Sequence, residues 1–190
     1  MPLWGATDSD ESKPKNLTTA EKKQVFANAS GWVLEAGSAL SGNDNASATP
    51  EVLVAIGGLA TSLGLADITE IEFVTTAFDK SEGGNIDMLV RFNEPVDVTG
   101  TPQFLITNNT SSSRNITANY LSGTGTNELT FRKVIGANNA ATNANDVLKV
   151  VANPVSLNGG TIKDAGTNSA STITSSVAIG TAAGTLTVAA

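Results

Sequence analysis

The stretch that decides the fold is GGNIDMLVRFNEPV, residues 83–96. Four large apolar side chains occupy every second position in it: Ile86, Met88, Val90 and Phe92. Successive side chains of a β-strand point to opposite faces, so these four share one face, while Asp87 and Arg91 lie on the other. The stretch begins with paired glycines, Gly83 and Gly84, and Glu94-Pro95 lies near its end; both are turn signals. The pattern predicts a half-buried strand that ends in a turn at Glu94-Pro95.

The same alternation recurs on both sides of this stretch. Apolar positions with a period of two occur at Ile71 and Phe73, Phe104 and Ile106, Ile116, Ala118 and Tyr120, and Leu129 and Phe131, followed by an apolar run over 147–152. Turn residues separate these segments at 123–125 and 158–160. Six or seven short strands over about 120 residues are typical of a two-sheet antiparallel sandwich. We therefore predict an all-β protein, with an immunoglobulin-like antiparallel β-sandwich over residues 67–190.

Residues 1–66 have a different pattern and form a separate unit in our interpretation. The first 24 residues are rich in charge and are predicted to be an extended arm, with one helical turn after the capping-box pair Thr18 and Glu21. Residues 25–34 are typical of strand, turn and strand, and 51–56 of a third strand. The alternative for 50–65 is a helix, which three glycines and two valines disfavour. We predict a small β-module with Trp32 in its core.

The composition limits the possible functions. Charged residues make up 15% of the chain, the net charge is -7, and there is no cysteine or histidine. Ser-His-Asp and Cys-His catalytic arrangements and cysteine-based zinc sites are therefore excluded. The negative charge disfavours nucleic acid and anionic membranes as partners. We predict that the protein is not an enzyme and has no cofactor.

Catalysis by carboxylates or by lysine is not excluded by the composition, and carboxylates occur in near pairs. These pairs are Asp8 with Asp10, Glu70 with Glu72, and Glu94 with Asp97. Alternation places Glu70 and Glu72 on the solvent face of a single strand, so we interpret them as an ordinary exposed face rather than as two groups opposed across a cleft. The other two pairs are placed in the arm and in a loop.

Calcium is the metal that remains possible, because it takes carboxylate and amide oxygens. The candidate ligands are Asn43-Asp44-Asn45 and the group Asn143, Asn145 and Asp146. Neither has the spacing of a calcium-binding loop, and asparagine and aspartate are common in turns without any metal. We predict no metal site.

The C-terminal segment has no charged side chain after Asp164. We expect a last strand near 173–179. The remainder is expected either to be disordered or to pair with the exposed strand edge of another chain.

Two resemblances extend these predictions. The first rests on Leu3-Trp4-Gly5, Asp8, Lys13-Pro14-Lys15, Val25-Phe26-Ala27 and Gly31-Trp32-Val33, and it covers roughly residues 1–37. This region resembles the N-terminal region of virion structural proteins of tailed marine phages, especially cyanophages. The resemblance implies an attachment segment.

The second resemblance covers most of residues 68–170. It rests on Phe92-Asn93-Glu94-Pro95-Val96, Gly100-Thr101-Pro102, the segment 120–131 and Leu157-Asn158-Gly159-Gly160-Thr161-Ile162-Lys163-Asp164. This part is similar to the bacterial immunoglobulin-like repeats of large cyanobacterial surface proteins. In that family the repeats are spacers or adhesive modules, and here a single copy is present.

Together the resemblances imply a capsid decoration (cement) protein on the outside of a virion. The expected partner is the major capsid protein, contacted through Leu3, Trp4, Gly5, Phe26 and Trp32, with a homo-oligomer at a lattice symmetry point. For Trp32 the alternative is a role in the core of the module. The arm has no basic and apolar leader, so we expect synthesis in the host cytoplasm. The alternative function is a tail- or fibre-associated module that binds host-surface glycan.

Overall fold

The computed structural model describes residues 13–14, 16–61 and 63–190, and it is almost entirely β-structure. Two sheets are present in the described part of the chain, one of three strands and one of ten. The prediction of an all-β protein is confirmed. No helix among the described residues is both long and apolar enough to cross a bilayer.

The three-stranded sheet is antiparallel and consists of β1 (Val25–Asn28), β2 (Gly31–Leu34) and β3 (Glu51–Ala55), in that order. Residues 51–55 are thus a strand and not a helix. Trp32 is 1% exposed and packs with Val25, Leu34 and Leu59 in a core of its own. Position 31 has φ 134°, and a Cβ there would lie 2.0 Å from the Val54 carbonyl oxygen, so only glycine fits between β2 and β3.

A short helix, α1 (Thr19–Lys22), precedes this sheet. The predicted capping box is present: Thr18 Oγ1 accepts from the Glu21 N–H, and the Thr18 N–H donates to Glu21 Oε2 at 2.8 Å. These bonds satisfy backbone N–H groups that a helix start leaves unpaired, which is why so short a helix forms here.

The ten-stranded sheet contains the remaining strands. Their bounds are β4 Ile68–Phe73, β5 Phe78–Asp79, β6 Gly84–Thr99, β7 Gln103–Asn108, β8 Ile116–Ser122, β9 Thr126–Ile135, β10 Val147–Lys149, β11 Val155–Ser156, β12 Thr161–Asp164 and β13 Thr185–Ala189. Hydrogen bonding follows the order β12-β6-β9-β8-β7-β10-β13-β5, with β4 beside β6 and β11 beside β7.

This sheet curls around one large core. Ile86, Met88, Val90, Phe104 and Phe131 are all fully buried in it, as the alternating pattern predicted. The pairing differs from the prediction in two respects. Hydrogen bonds run continuously along the whole path rather than within two separate sheets, and β13 pairs with β5 in parallel. The sheet is therefore mixed and not purely antiparallel.

The turn predicted at Glu94-Pro95 is absent. Both residues lie within β6, a continuous strand of 16 residues. Pairing of β6 with β9 breaks between Arg91 and Val96, so Pro95, which has no N–H to donate, lies where the ladder to β9 is interrupted. The Pro95 carbonyl instead accepts from the Ala165 N–H at 3.0 Å. Beyond the break, β6 pairs with β12 and so links two parts of the curled sheet.

The prediction of a last strand near 173–179 is wrong. Residues Val177–Ala182 form a helix, α2, and the last strand is β13. Ser176 caps α2 by accepting from the Ile179 N–H, and α2 packs on β4, so the cap and this packing outweigh the low helix propensity of its valine, isoleucine, threonine and glycine. Leu186 and Val188 of β13 are buried, so the uncharged C-terminal segment pairs within its own chain.

Candidate functional site: the junction between the two sheets

The predicted partner-binding residues fall into two groups. Leu3, Trp4 and Gly5 lie outside the described residues. Phe26 and Trp32 belong to the three-stranded sheet and are 7% and 1% exposed. Trp32 lies in the core of the module, as the alternative interpretation expected, so its side chain does not reach the surface of this chain. Phe26 lies at the junction with the large sheet.

Strand β1 of the module packs against β6 of the large sheet, and Arg91 of β6 lies at the centre of this junction. Four carboxylates surround its guanidinium group. Arg91 Nε donates to Glu128 Oε1 at 2.6 Å, and Nη1 lies 3.0 Å from both Glu70 and Glu72. Glu35, which follows β2, is 3.9 Å away. Carboxylates of the module and of two strands of the large sheet, β4 and β9, thus share one cation.

Two further contacts connect the module to the large sheet. Lys23, just after α1, forms an ion pair with Glu70 of β4. The Asn127 side-chain amide of β9 donates to Glu35 Oε1 at 2.8 Å. The module is therefore held by charged and amide groups as well as by apolar packing.

The electrostatics of the junction centre on Glu35. Burial first, and then the nearby charge of Glu128, raise the pKa of the Glu35 carboxyl to about 7, although the Asn127 hydrogen bond, Arg91 and Lys13 act in the opposite direction. For Arg91, burial opposes the charged form, but Glu128 and Glu72 outweigh it and raise its pKa. Burial and the charge of Glu128 outweigh these opposing effects, so Glu35 holds a proton more strongly than an exposed glutamate.

A cavity of about 280 Å³ opens beside this cluster. Its apolar wall comes from the module, with Phe26 and the alanines and proline of the loop before β3. Its polar wall comes from Glu35 and from Thr126, Asn127 and Glu128 of β9. Phe26 is thus the one described residue of the predicted partner-binding set that lines an opening at the junction.

Sequence reasoning missed the Arg91 cluster. It placed Glu70 and Glu72 on an ordinary solvent face, whereas the Glu70 side chain is 11% exposed and both carboxylates bind Arg91. The alternation was read correctly, but the module covers part of the face that faces away from the large core. The sequence offered a partial signal, because Arg91 lies between the apolar residues Val90 and Phe92. Its alignment with Glu70 and Glu128 follows only from the strand register of the structure.

Other candidate carboxylates also take part in ion pairs. Asp146, which was considered as a candidate calcium ligand, is fully buried and receives two hydrogen bonds from Arg114 at 2.8 and 2.6 Å. These bonds lower the pKa of Asp146 to about 2. Asn43 and Asn45 accept backbone N–H groups two residues ahead, as turn residues do. Within the described ranges, no three acidic side chains are grouped so as to hold a metal ion.

Comparison with known proteins adds nothing to this description. No family model, no curated protein and no solved structure matches the chain. The function must therefore be argued from the residues and the fold alone.

Proposed function

We propose that this chain is a phage virion structural protein, most specifically a capsid decoration protein that is anchored by its N-terminal region and presents its large sheet outward. The expected partner is the major capsid protein, and the immunoglobulin-like character of the large sheet belongs to the same proposal. The role is passive and needs no catalytic group.

The observation that carries the proposal is the ion-paired junction. An attachment segment sets the orientation of the body that it carries when polar bonds and apolar packing hold the two together. Here Arg91, Glu35 and Lys23 join the module that follows the arm to the ten-stranded sheet. A contact made by the arm and the module would therefore fix the orientation of the large sheet.

Two further features support a structural role. The junction carboxylates, which are the charged groups nearest the cavity lined by Phe26, form ion pairs with Arg91. In addition, every phenylalanine between residues 67 and 190 is buried or partly buried, and the Tyr120 hydroxyl accepts from the Thr124 N–H at 2.9 Å. Glycan sites commonly expose aromatic rings, so the alternative function receives no support from this surface.

Incorporation into particles tests the proposal. The double substitution Leu3→Ala/Trp4→Ala should reduce the amount of the chain in purified virions by about tenfold or more, because aromatic anchors dominate interface energies. Quantitative blotting of gradient-purified particles measures this. Val134→Ala is the matched control, since Val134 is an apolar side chain that is 67% exposed on β9 of the large sheet. Normal incorporation of the double variant would refute the assigned anchor.

A further inference from the structure

The third strand of the module, β3, is apolar but exposed. Its sequence is Glu51-Val52-Leu53-Val54-Ala55, so four of its five residues are apolar. Val52 is 51% exposed and Leu53 is 36% exposed. Among the strands in the described part of the chain, β3 alone contains no buried residue. Adjacent exposed apolar residues on a protein surface often mark an interaction site, so β3 has the composition of a covered strand without its cover.

The outer edge of β3 is open. The sheet of the module has the order β1-β2-β3, and no strand among the described residues pairs with the far side of β3. The Ile56 N–H donates to the Ser30 carbonyl, next to β2, at 3.0 Å. Backbone groups of successive residues in an antiparallel strand point to opposite sides, so the N–H and carbonyl of Ala55 point away from β2. The edge therefore presents backbone groups that an extended chain can bind.

This edge has few of the features that normally prevent pairing with another chain. Those features include lysine, proline and β-bulges on the edge strand. The register between β2 and β3 shifts at Trp32 and Val33, which makes Leu53 a bulged residue. The strand contains neither proline nor a basic residue. The bulge is therefore the one protective feature within β3.

The charge around β3 favours a neutral partner strand. No lysine or arginine occurs between Lys23 and Lys80 in the sequence. Glu51 is the one charged residue of β3, and its carboxylate is held within its own chain, where it accepts from Ser41 Oγ at 3.1 Å. A partner strand rich in charge would find no counter-charge along this edge. An apolar and nearly uncharged strand matches it, and β3 of a second copy is such a strand.

Two copies of β3 are complementary when they run antiparallel about a two-fold axis at Leu53. Val52 of one copy then faces Val54 of the other, and Glu51 faces Ala55. Apolar side chains meet apolar side chains, and no carboxylate lies opposite another carboxylate. Each copy uses the same residues, as two-fold symmetric dimers do.

The length of the strand indicates how strong this contact is. Five residues of an antiparallel strand span about 17 Å. A contact of that length is smaller than a standard protein interface, which buries at least about 1,200 Å². We therefore expect a reversible dimer in solution rather than a permanent one.

We propose that β3 is a homodimerisation edge, which pairs with β3 of a second copy and joins the two modules into one six-stranded sheet. The pairing is argued from the strand itself. It rests on the proposed function in one respect, because it names the surface of the homo-oligomer expected at a lattice symmetry point. Chains bound to one particle have a high effective concentration, which strengthens so small an interface there.

Disulfide cross-linking of the full chain tests the pairing and its direction. The chain contains no cysteine, so one introduced cysteine forms a disulfide only between copies. Leu53→Cys should cross-link under mild oxidation, because facing residues of paired strands lie within disulfide distance. Glu51→Cys and Ala55→Cys should cross-link when they are mixed, but not separately. The matched control is Leu105→Cys, because Leu105 is 38% exposed on β7, which is paired on both sides.

Sedimentation equilibrium measures the dimer without a cross-link. The wild type should show a concentration-dependent equilibrium between monomer and dimer. Leu53→Lys should weaken dimerisation by about tenfold or more, because two like charges then face each other across the axis. Leu105→Lys should leave the equilibrium unchanged. Circular dichroism of both lysine variants shows whether they are folded, and the cysteine variants test the pairing even if Leu53→Lys is not.

Three results would overturn the proposal. The first is a wild type that stays monomeric at every concentration, with Leu53→Cys no more reactive than Leu105→Cys. The second is cross-linking of Leu53→Cys in particles to a different protein only, since the occupant of the edge would then be a heterologous strand. The third is slow hydrogen exchange of the Ala55 N–H that does not depend on protein concentration, because a segment of the same chain would then cover the edge.

Failure of this inference is distinguishable from failure of the proposed function, because the dimer is measured in the free protein. If the wild type dimerises through β3 while Leu3→Ala/Trp4→Ala enters particles normally, the pairing stands and the assigned anchor does not. If the double alanine variant is lost from particles while the wild type shows no pairing through β3, the anchor stands and the pairing does not.

Discussion

At the scale of the residue, Glu35 is the side chain whose behaviour depends most on its surroundings. Its carboxyl lies on the side of the module that meets β9, accepts from Asn127 and lines a cavity together with Glu128. Burial and Glu128 raise its pKa from 4.5 to about 7. Between these two pH values the folded protein holds a proton that the unfolded chain has released. Stability from this group is therefore highest below pH 4.5 and falls as the pH rises to 7.

Replacement by glutamine tests this linkage. Glu35→Gln cannot ionise, and its amide oxygen still accepts from Asn127, so the variant should exceed the wild type in unfolding free energy by about 1 to 3 kcal/mol at pH 8. The advantage should vanish near pH 4. Urea unfolding at the two pH values measures it, with the exposed Glu82→Gln as the control. A constant difference at both pH values would contradict the assigned burial of the charge.

At the scale of the element, β13 shows how the uncharged C-terminal segment is used. It lies between β10 and β5 and places Leu186 and Val188 in the large core, whereas Thr187 points to solvent. Leu186→Ala should lower the unfolding free energy by about 2 to 5 kcal/mol, because it leaves a cavity among buried side chains. Thr187→Ala, on the opposite face of the same strand, should cost far less. Chemical denaturation of the two variants compares them, and equal losses would mean that β13 is not part of the core.

At the scale of the whole molecule, Arg91 is the cation around which the carboxylates of the two sheets meet. Arg91→Met would leave Glu35, Glu70, Glu72 and Glu128 close together, with Lys23 beside Glu70 and Lys13 near Glu35 as the cations that remain. Removing one partner of a buried charge cluster typically costs about 3 to 5 kcal/mol. We expect a loss of that size at pH 8 and a smaller loss at pH 5, where Glu35 is protonated.

The matched control for Arg91 is Arg132, which pairs with Asp87 on the same two strands but is 37% exposed. Arg132→Met should cost less than about 1 kcal/mol, because exposed ion pairs contribute little. Thermal unfolding monitored by tryptophan fluorescence reports the module through Trp32, and far-ultraviolet circular dichroism reports both sheets. Similar losses for the two arginine variants would show that the junction is an ordinary surface network.

Much of the fold was predictable because it depends on local pattern. Alternation identified the buried residues Ile86, Met88, Val90 and Phe131, and the capping box at Thr18 identified a helix of one turn. The tail was mispredicted because alternation in a Thr-, Ser- and Ala-rich segment does not distinguish a short capped helix from a strand. The pairing path was also beyond local pattern, since a strand carries no mark of which neighbour it pairs with.

The candidate site was predictable only in part. The sequence pointed to Phe26 and to a tryptophan core around Trp32, but not to the cluster at Arg91, whose members come from positions 35, 70, 72 and 128. Periodicity assigns a residue to one of two faces of a strand. It does not say whether the outward face is open to water or covered by a second module, and that difference changes an exposed glutamate into a partner in a buried ion cluster.

By itself, the sequence determined the all-β class, the division between a tryptophan-containing module and a larger β-unit, and the absence of histidine and cysteine chemistry. These properties follow from composition and from a side-chain period of two, which each segment carries in isolation. Only the tertiary structure decided that the large sheet is curled and mixed, that the C-terminal strand pairs within its own chain, and that one arginine joins the two sheets. Those features arise from contacts between distant segments, and their free energy depends on desolvation that no single segment experiences alone.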